Sequence, residues 1–145
     1  MSTLSKIADA VVAKLNAGTF AIPFVAVNRW HLVHPNGAPK DLSVVVMPAK
    51  PTNELASRDS RQGRYTVLVV VQKKIIVEQE SEIEGLANLV ESIDRAIFEA
   101  DWTDVQGLES LAWMESETDP VVHPEHIEKF RSFTSVVTVT FGLGD

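Results

Sequence analysis

Apolar residues recur along this chain with two distinct periods, and the switches between them mark out the elements. Over residues 4–16, Leu4, Ile7, Ala8, Val11 and Leu15 repeat at three- and four-residue spacing, which predicts an amphipathic helix. Ser2 or Thr3 can cap its start, and Gly18 suits the left-handed position just past its end. Residues 24–34 are rich in β-branched and aromatic side chains and close on Pro35-Asn36-Gly37, which predicts a strand ending in a turn. A second strand is predicted over 42–47, stopped by Pro48. The polar stretch 49–63 is long for a connection inside one domain, and loops of that length tend to carry function.

The strongest strand signal lies over 64–77, where Val67, Leu68, Val69, Val70 and Val71 form an unbroken apolar run, the pattern of a strand buried on both faces. Ser81 and Glu84 have the spacing of a capping box and open a helix whose stripe is Ile83, Leu86, Ala87, Val90, Ile93 and Ile97, with Glu91, Asp94 and Glu99 on the outer face. Beyond Gly107, residues 108–115 read as a strand with Leu111 and Trp113 facing one way. Asp119-Pro120 begins an irregular stretch through His126. Residues 132–141 then alternate, Phe133, Val137, Val139 and Phe141 on one face and Thr134, Thr138 and Thr140 on the other. The order α-β-β-β-α-β-β does not alternate helix with strand, so a parallel doubly wound sheet is not expected. The expected fold class is α+β: one domain over 1–145, two helices on one face of a mainly antiparallel or mixed sheet.

At 145 residues the chain is the size of one globular domain, and it contains no cysteine. Disulfides, thiolate metal sites and cysteine nucleophiles are therefore excluded. No apolar run approaches the roughly 20 residues of a membrane span, and no secretory leader is legible, so a soluble protein made in a cytoplasm is expected. The net charge of −7 is unevenly distributed. Residues 1–77 carry ten Lys/Arg against four Asp/Glu, whereas residues 78–128 carry fifteen acids against Arg95 alone. Such a partition either neutralises within one fold or matches a basic face to an acidic face on a neighbouring copy.

Candidate chemistry is sparse. The histidines fall in two pairs, His31/His34 and His123/His126. The odd offset of the first pair points its rings to opposite faces of a strand. The second, with Glu125 and Glu128 nearby, is the only plausible metal cluster, although two intervening residues do not make the helical metalloprotease motif. No serine sits in a Gly-x-Ser-x-Gly elbow, and Gly142-Leu143-Gly144 has no helix after it to receive a phosphate. No catalytic residue, cofactor or metal is expected, and the chain reads as a non-enzyme. Arg58, Arg61 and Arg64, spaced by three, suit contact with an acidic partner surface better than nucleic acid, because no aromatic residues interleave them.

Taken together the layout resembles the tail terminator (tail completion) proteins of long-tailed bacteriophages. The stretches that carry the likeness are the N-terminal helix, Val44-Val45-Val46-Met47-Pro48, a polar loop with Arg58, and Tyr65-Thr66-Val67-Leu68-Val69-Val70-Val71-Gln72-Lys73-Lys74. They continue in the acidic helix ending Ile93-Asp94-Arg95-Ala96-Ile97 and in the closing run from Phe130 to Phe141. The resemblance implies a mixed sheet flanked by helices and a homo-oligomeric, hexameric ring in the virion. That ring would cap the tail tube at its head-proximal end, stop its polymerisation, and dock head–tail connector proteins, with DNA passing the lumen without specific binding. Assembly would occur in the host cytoplasm, with no membrane involved. Within such a ring the expected contacts are Arg58, Arg61 and Arg64 of one copy against Glu91, Asp94, Glu99, Asp101 and Asp104 of the next. The residues leave other readings open: a connector or tube protein of the same particle, a small metal-dependent hydrolase using His123, Glu125 and His126, or a cellular binding module.

Overall fold

In the computed structural model of the chain, described over residues 3–29, 42–48, 63–74, 80–105, 107–118 and 132–143, helix α1 spans Thr3–Ala17 and helix α2 spans Glu80–Glu99. The strands are β1 (Ala26–Asn28), β2 (Ser43–Pro48), β3 (Gly63–Lys74), β4 (Leu111–Thr118) and β5 (Ser132–Leu143). They form a five-stranded sheet in the order β1-β2-β3-β5-β4. β1 runs parallel to β2, and every other neighbouring pair is antiparallel. This is the mixed α+β single-domain fold expected from the element order.

Both helices bury their apolar stripes on the same sheet face. Ile7, Ala8, Val11 and Leu15 of α1 join Leu86, Leu89, Val90, Ile93 and Ile97 of α2 in one core cluster. The sheet supplies Val44, Val46, Val67, Val69, Val71, Phe133, Val137, Val139 and Phe141 to it. The long register between β3 and β5, from Gly63↔Leu143 to Lys74↔Ser132, makes these two strands the centre of the sheet. The unbroken valine run is buried on its second face as well, at Val45 and Val70. Thr134 and Gln72 on that second face are also buried.

Several boundaries differ from the sequence reading. The strand expected over 24–34 is a regular strand only over Ala26–Asn28, and residues 30–34 lie outside the described residues. Helix α2 begins before Ser81, which puts that residue inside the first turn rather than at the cap. Gly18 does not take the left-handed conformation; its N–H closes a three-residue turn to the Leu15 carbonyl at 3.2 Å. Among the described glycines the positive φ, 84°, belongs to Gly107. The fourth strand starts at Leu111 rather than 108, because Leu108 N–H bonds Val105 O and Leu111 N–H bonds Leu108 O, two turns at 3.0 Å that occupy the backbone first. Leu108 is buried all the same. Among the described residues no helix is long and apolar enough to cross a membrane.

Candidate interaction surface

The two edges of the sheet are built differently. At β1, Arg29 N–H donates to the Val46 carbonyl at 2.9 Å, so the odd residues of this stretch direct their backbone groups toward β2 and the even ones direct theirs outward. Side chains take up the Ala26 N–H and carbonyl and the Asn28 carbonyl. Asn16, near the end of α1, accepts from Ala26 N–H at 2.8 Å and donates to the Ala26 carbonyl at 3.1 Å. Arg29 turns its guanidinium back onto the Asn28 carbonyl at 3.0 Å. The Asn28 side chain is in turn tied to α1 through Asp9 at 2.8 Å. A side-chain amide imitates a peptide group, and here it stands where a further strand would pair. The β1 edge is capped.

At the other edge, no described strand lies beyond β4. The strand is bulged between Trp113 and Glu115, which leaves Met114 as an extra residue at 40% exposure. Its sulfur lies 2.9 Å from where a Cβ at Gly142 would stand, so the bare glycine is what lets the methionine fold over β5. Beside β4, α2 leaves an open groove of about 470 Å³ lined by Glu91, Asp94, Arg95, Phe98, Trp113, Ser116 and Thr118. Phe98 is 58% exposed and packs edge-to-face on Trp113, with ring centroids 4.8 Å apart. The Trp113 indole Nε1 is buried with no acceptor among the described residues, a cost of about 1–3 kcal/mol by the usual penalty for a lost partner.

The acids expected at a contact with a neighbouring copy lie along α2 and the turn that follows it. Glu91 and Asp94 share the groove, but Asp94 accepts a 2.5 Å hydrogen bond from Ser116 Oγ and so ties α2 to β4. Glu99 is exposed and lines a separate cleft with Phe20 and Arg95. Asp101 lies in the turn after α2, where the Thr103 hydroxyl, at 2.6 Å, and the Thr103 N–H, at 2.9 Å, both donate to it. These bonds hold its carboxyl below the ordinary aspartate range, with Lys14 adding a smaller electrostatic pull. Asp104 receives Lys14 Nζ at 2.8 Å on both oxygens. Lys73 is likewise paired within the chain, to Glu82 at 2.5 Å.

Of the three arginines, Arg64 is exposed at the start of β3, opposite Gly142 and two strands from β4. Arg58 and Arg61 lie outside the described residues, as do His31, His34, His123, Glu125, His126 and Glu128. Among the described residues no three His, Cys, Asp or Glu side chains are grouped to hold a metal ion.

Sequence reasoning passed over Phe98, Met114, Ser116 and Asn16. Phe98 had a signal: it follows Ile97 on the amphipathic helix, so the same period that buries Ile97 turns Phe98 toward the polar side. Asn16 had none, because the backbone it caps lies across a chain reversal. No protein-family model matches this chain, and no curated protein matches it either.

Proposed function

We propose that this protein is a structural virion subunit that forms a ring at the head-proximal end of a phage tail tube, ending tube growth and offering the docking surface for the head. The observation that carries this reading is the surface along α2 and β4. It is an open groove with an exposed phenylalanine, an indole and two carboxylates, a shape suited to a macromolecular partner rather than to an enclosed small substrate. The layout of elements and the charge partition between the two halves of the chain support it further. Joining of unlike surfaces from copy to copy closes into a ring when the rotation permits, and charge matching fixes the register.

The test is the mass of the purified protein by light scattering across a dilution and salt series, alone and with tail tubes. A discrete hexamer, or a monomer that closes into one on a tube, is the expected result. Open stacks would instead indicate a tube protein. A strict monomer that neither assembles nor binds tubes would end the reading.

A further inference from the structure

We infer that the edge of β4, which pairs with no further strand among the described residues, is a docking site for one extended, basic segment of a different protein, added to the sheet as a sixth strand and covered on the helix side by the α2 groove. The inference deepens the ring reading by naming a partner surface, and it rests on that reading only for the identity of the assembly.

The argument begins with the contrast between the edges. An exposed edge offers unpaired N–H and C=O groups to any extended chain, and proteins blunt edges they do not use. The β1 edge is blunted by the Asn16 amide and the Arg29 guanidinium. β4 has a bulge at Met114 and two exposed glutamates, which narrow the kind of strand it accepts, but among the described residues no side chain caps the backbone of 115–118. Apolar groups stand exposed on both of its sides, Phe98 toward the helices and Met114 toward the opposite sheet face. Its regular part beyond the bulge, residues 115–118, lies alongside the groove through Ser116 and Thr118.

The charges then select the occupant. Glu115 and Glu117 are exposed on β4, and Glu91 and Asp94 line the groove, against Arg95 as the one lining cation among the described residues. Pairing the regular part of β4, 115–118, with itself about a two-fold axis at Ser116 sets Glu115 against Glu117, and like charges directly opposed across strands are destabilising. Pairing β4 with β1 of a second copy is antiparallel by topology but meets the capped edge. Neither described edge of a second copy is therefore a suitable strand. A basic strand from another protein satisfies the backbone and, on the sheet face away from α2, Glu115 and Glu117, while its apolar residues on the groove side cover Phe98. This is β-strand addition, with main-chain bonds for affinity and side-chain pockets for choice of partner.

The probe is a labelled peptide alternating valine with lysine and threonine, titrated into the intact protein and read by fluorescence anisotropy. Saturable binding is expected, weakened about tenfold or more when glutamate replaces lysine in the peptide or when two consecutive peptide residues are N-methylated, which blocks both of its edges. The same loss is expected for the basic peptide on the Glu115→Lys/Glu117→Lys protein, with both changes at exposed positions, and a smaller one on Phe98→Ala. Absence of saturable binding, equal binding of the acidic or N-methylated peptide, or unchanged binding to the Glu115→Lys/Glu117→Lys protein overturns the inference. So does self-cross-linking of Glu117→Cys by a short bis-maleimide in this cysteine-free chain, which would make a second copy the occupant. Light scattering on the same samples separates the two claims: ring mass without peptide binding removes the edge assignment alone, and peptide binding by a strict monomer removes the ring alone.

Discussion

Replacing Trp102 with phenylalanine tests how the end of α2, and with it the groove, is held in place. The last carbonyls of a helix have no partner within the helix. One of them, Ile97 O, accepts a buried 3.0 Å hydrogen bond from the Trp102 indole Nε1. Trp102 is 4% exposed, and its ring packs edge-to-face on Phe141 with centroids 4.8 Å apart and planes at 72°. Trp102→Phe keeps an aromatic ring beside Phe141 but removes the donor, so the Ile97 carbonyl loses a buried partner. That loss is worth about 1–3 kcal/mol. At about 3 °C of Tm per kcal/mol for a chain of this size, the expected fall is about 3–9 °C. Trp102→Leu loses the ring contact too, and the aromatic pair adds about 0.5–1.5 kcal/mol to the cost. Urea unfolding of the three proteins gives both differences, and amide exchange shows where they act, with the final turn of α2 around Phe98 losing protection first. A Trp102→Phe protein within about 0.5 kcal/mol of the parent, the range of an ordinary surface substitution, would refute the claim that this indole secures the helix end.

Three further outcomes follow from the same contacts. Asn16→Ala removes both bonds to Ala26, lowers stability by about 1–2 kcal/mol, and uncaps β1, so light scattering on this variant registers self-association that rises with concentration where the parent shows none beyond its own assembly. Thr103→Ala removes the hydroxyl donor to Asp101, and an NMR titration then finds the Asp101 pKa closer to the ordinary aspartate value of about 3.9. Because that pKa is depressed in the folded parent, the stability it contributes is present above the unfolded-state pKa and is lost as pH falls through the folded one; the variant therefore shows a shallower loss of stability in that acidic window, with neutral pH little affected. Changing Arg58, Arg61 and Arg64 together to glutamate weakens ring assembly while circular dichroism of the monomer stays the same; normal rings from that variant would exclude these arginines as the basic side of the contact.

The sequence by itself determined the layers. A helix or strand announces itself through the spacing of its own apolar residues, so the α1 and α2 stripes, the doubly buried valine run of β3 and the alternation of β5 were all legible, and their order argued against a parallel wound sheet. Leu108 was assigned to a strand because it is apolar and precedes Leu111, yet the turn bonds to Val105 and from Leu111 decide its backbone. The acids of α2 read as one solvated face for the same reason: helical period separates the core side from the rest, but it does not say what lies beside the rest. Only the tertiary structure decided that Asp94 is spent on Ser116, 22 residues away, that Asp104 is spent on Lys14, 90 residues away, and that Asn16 closes one sheet edge while, among the described residues, β4 leaves the other open. Periodicity is a property of neighbours along the chain, whereas pairing of a charge or an edge depends on which distant segment the packed core brings alongside.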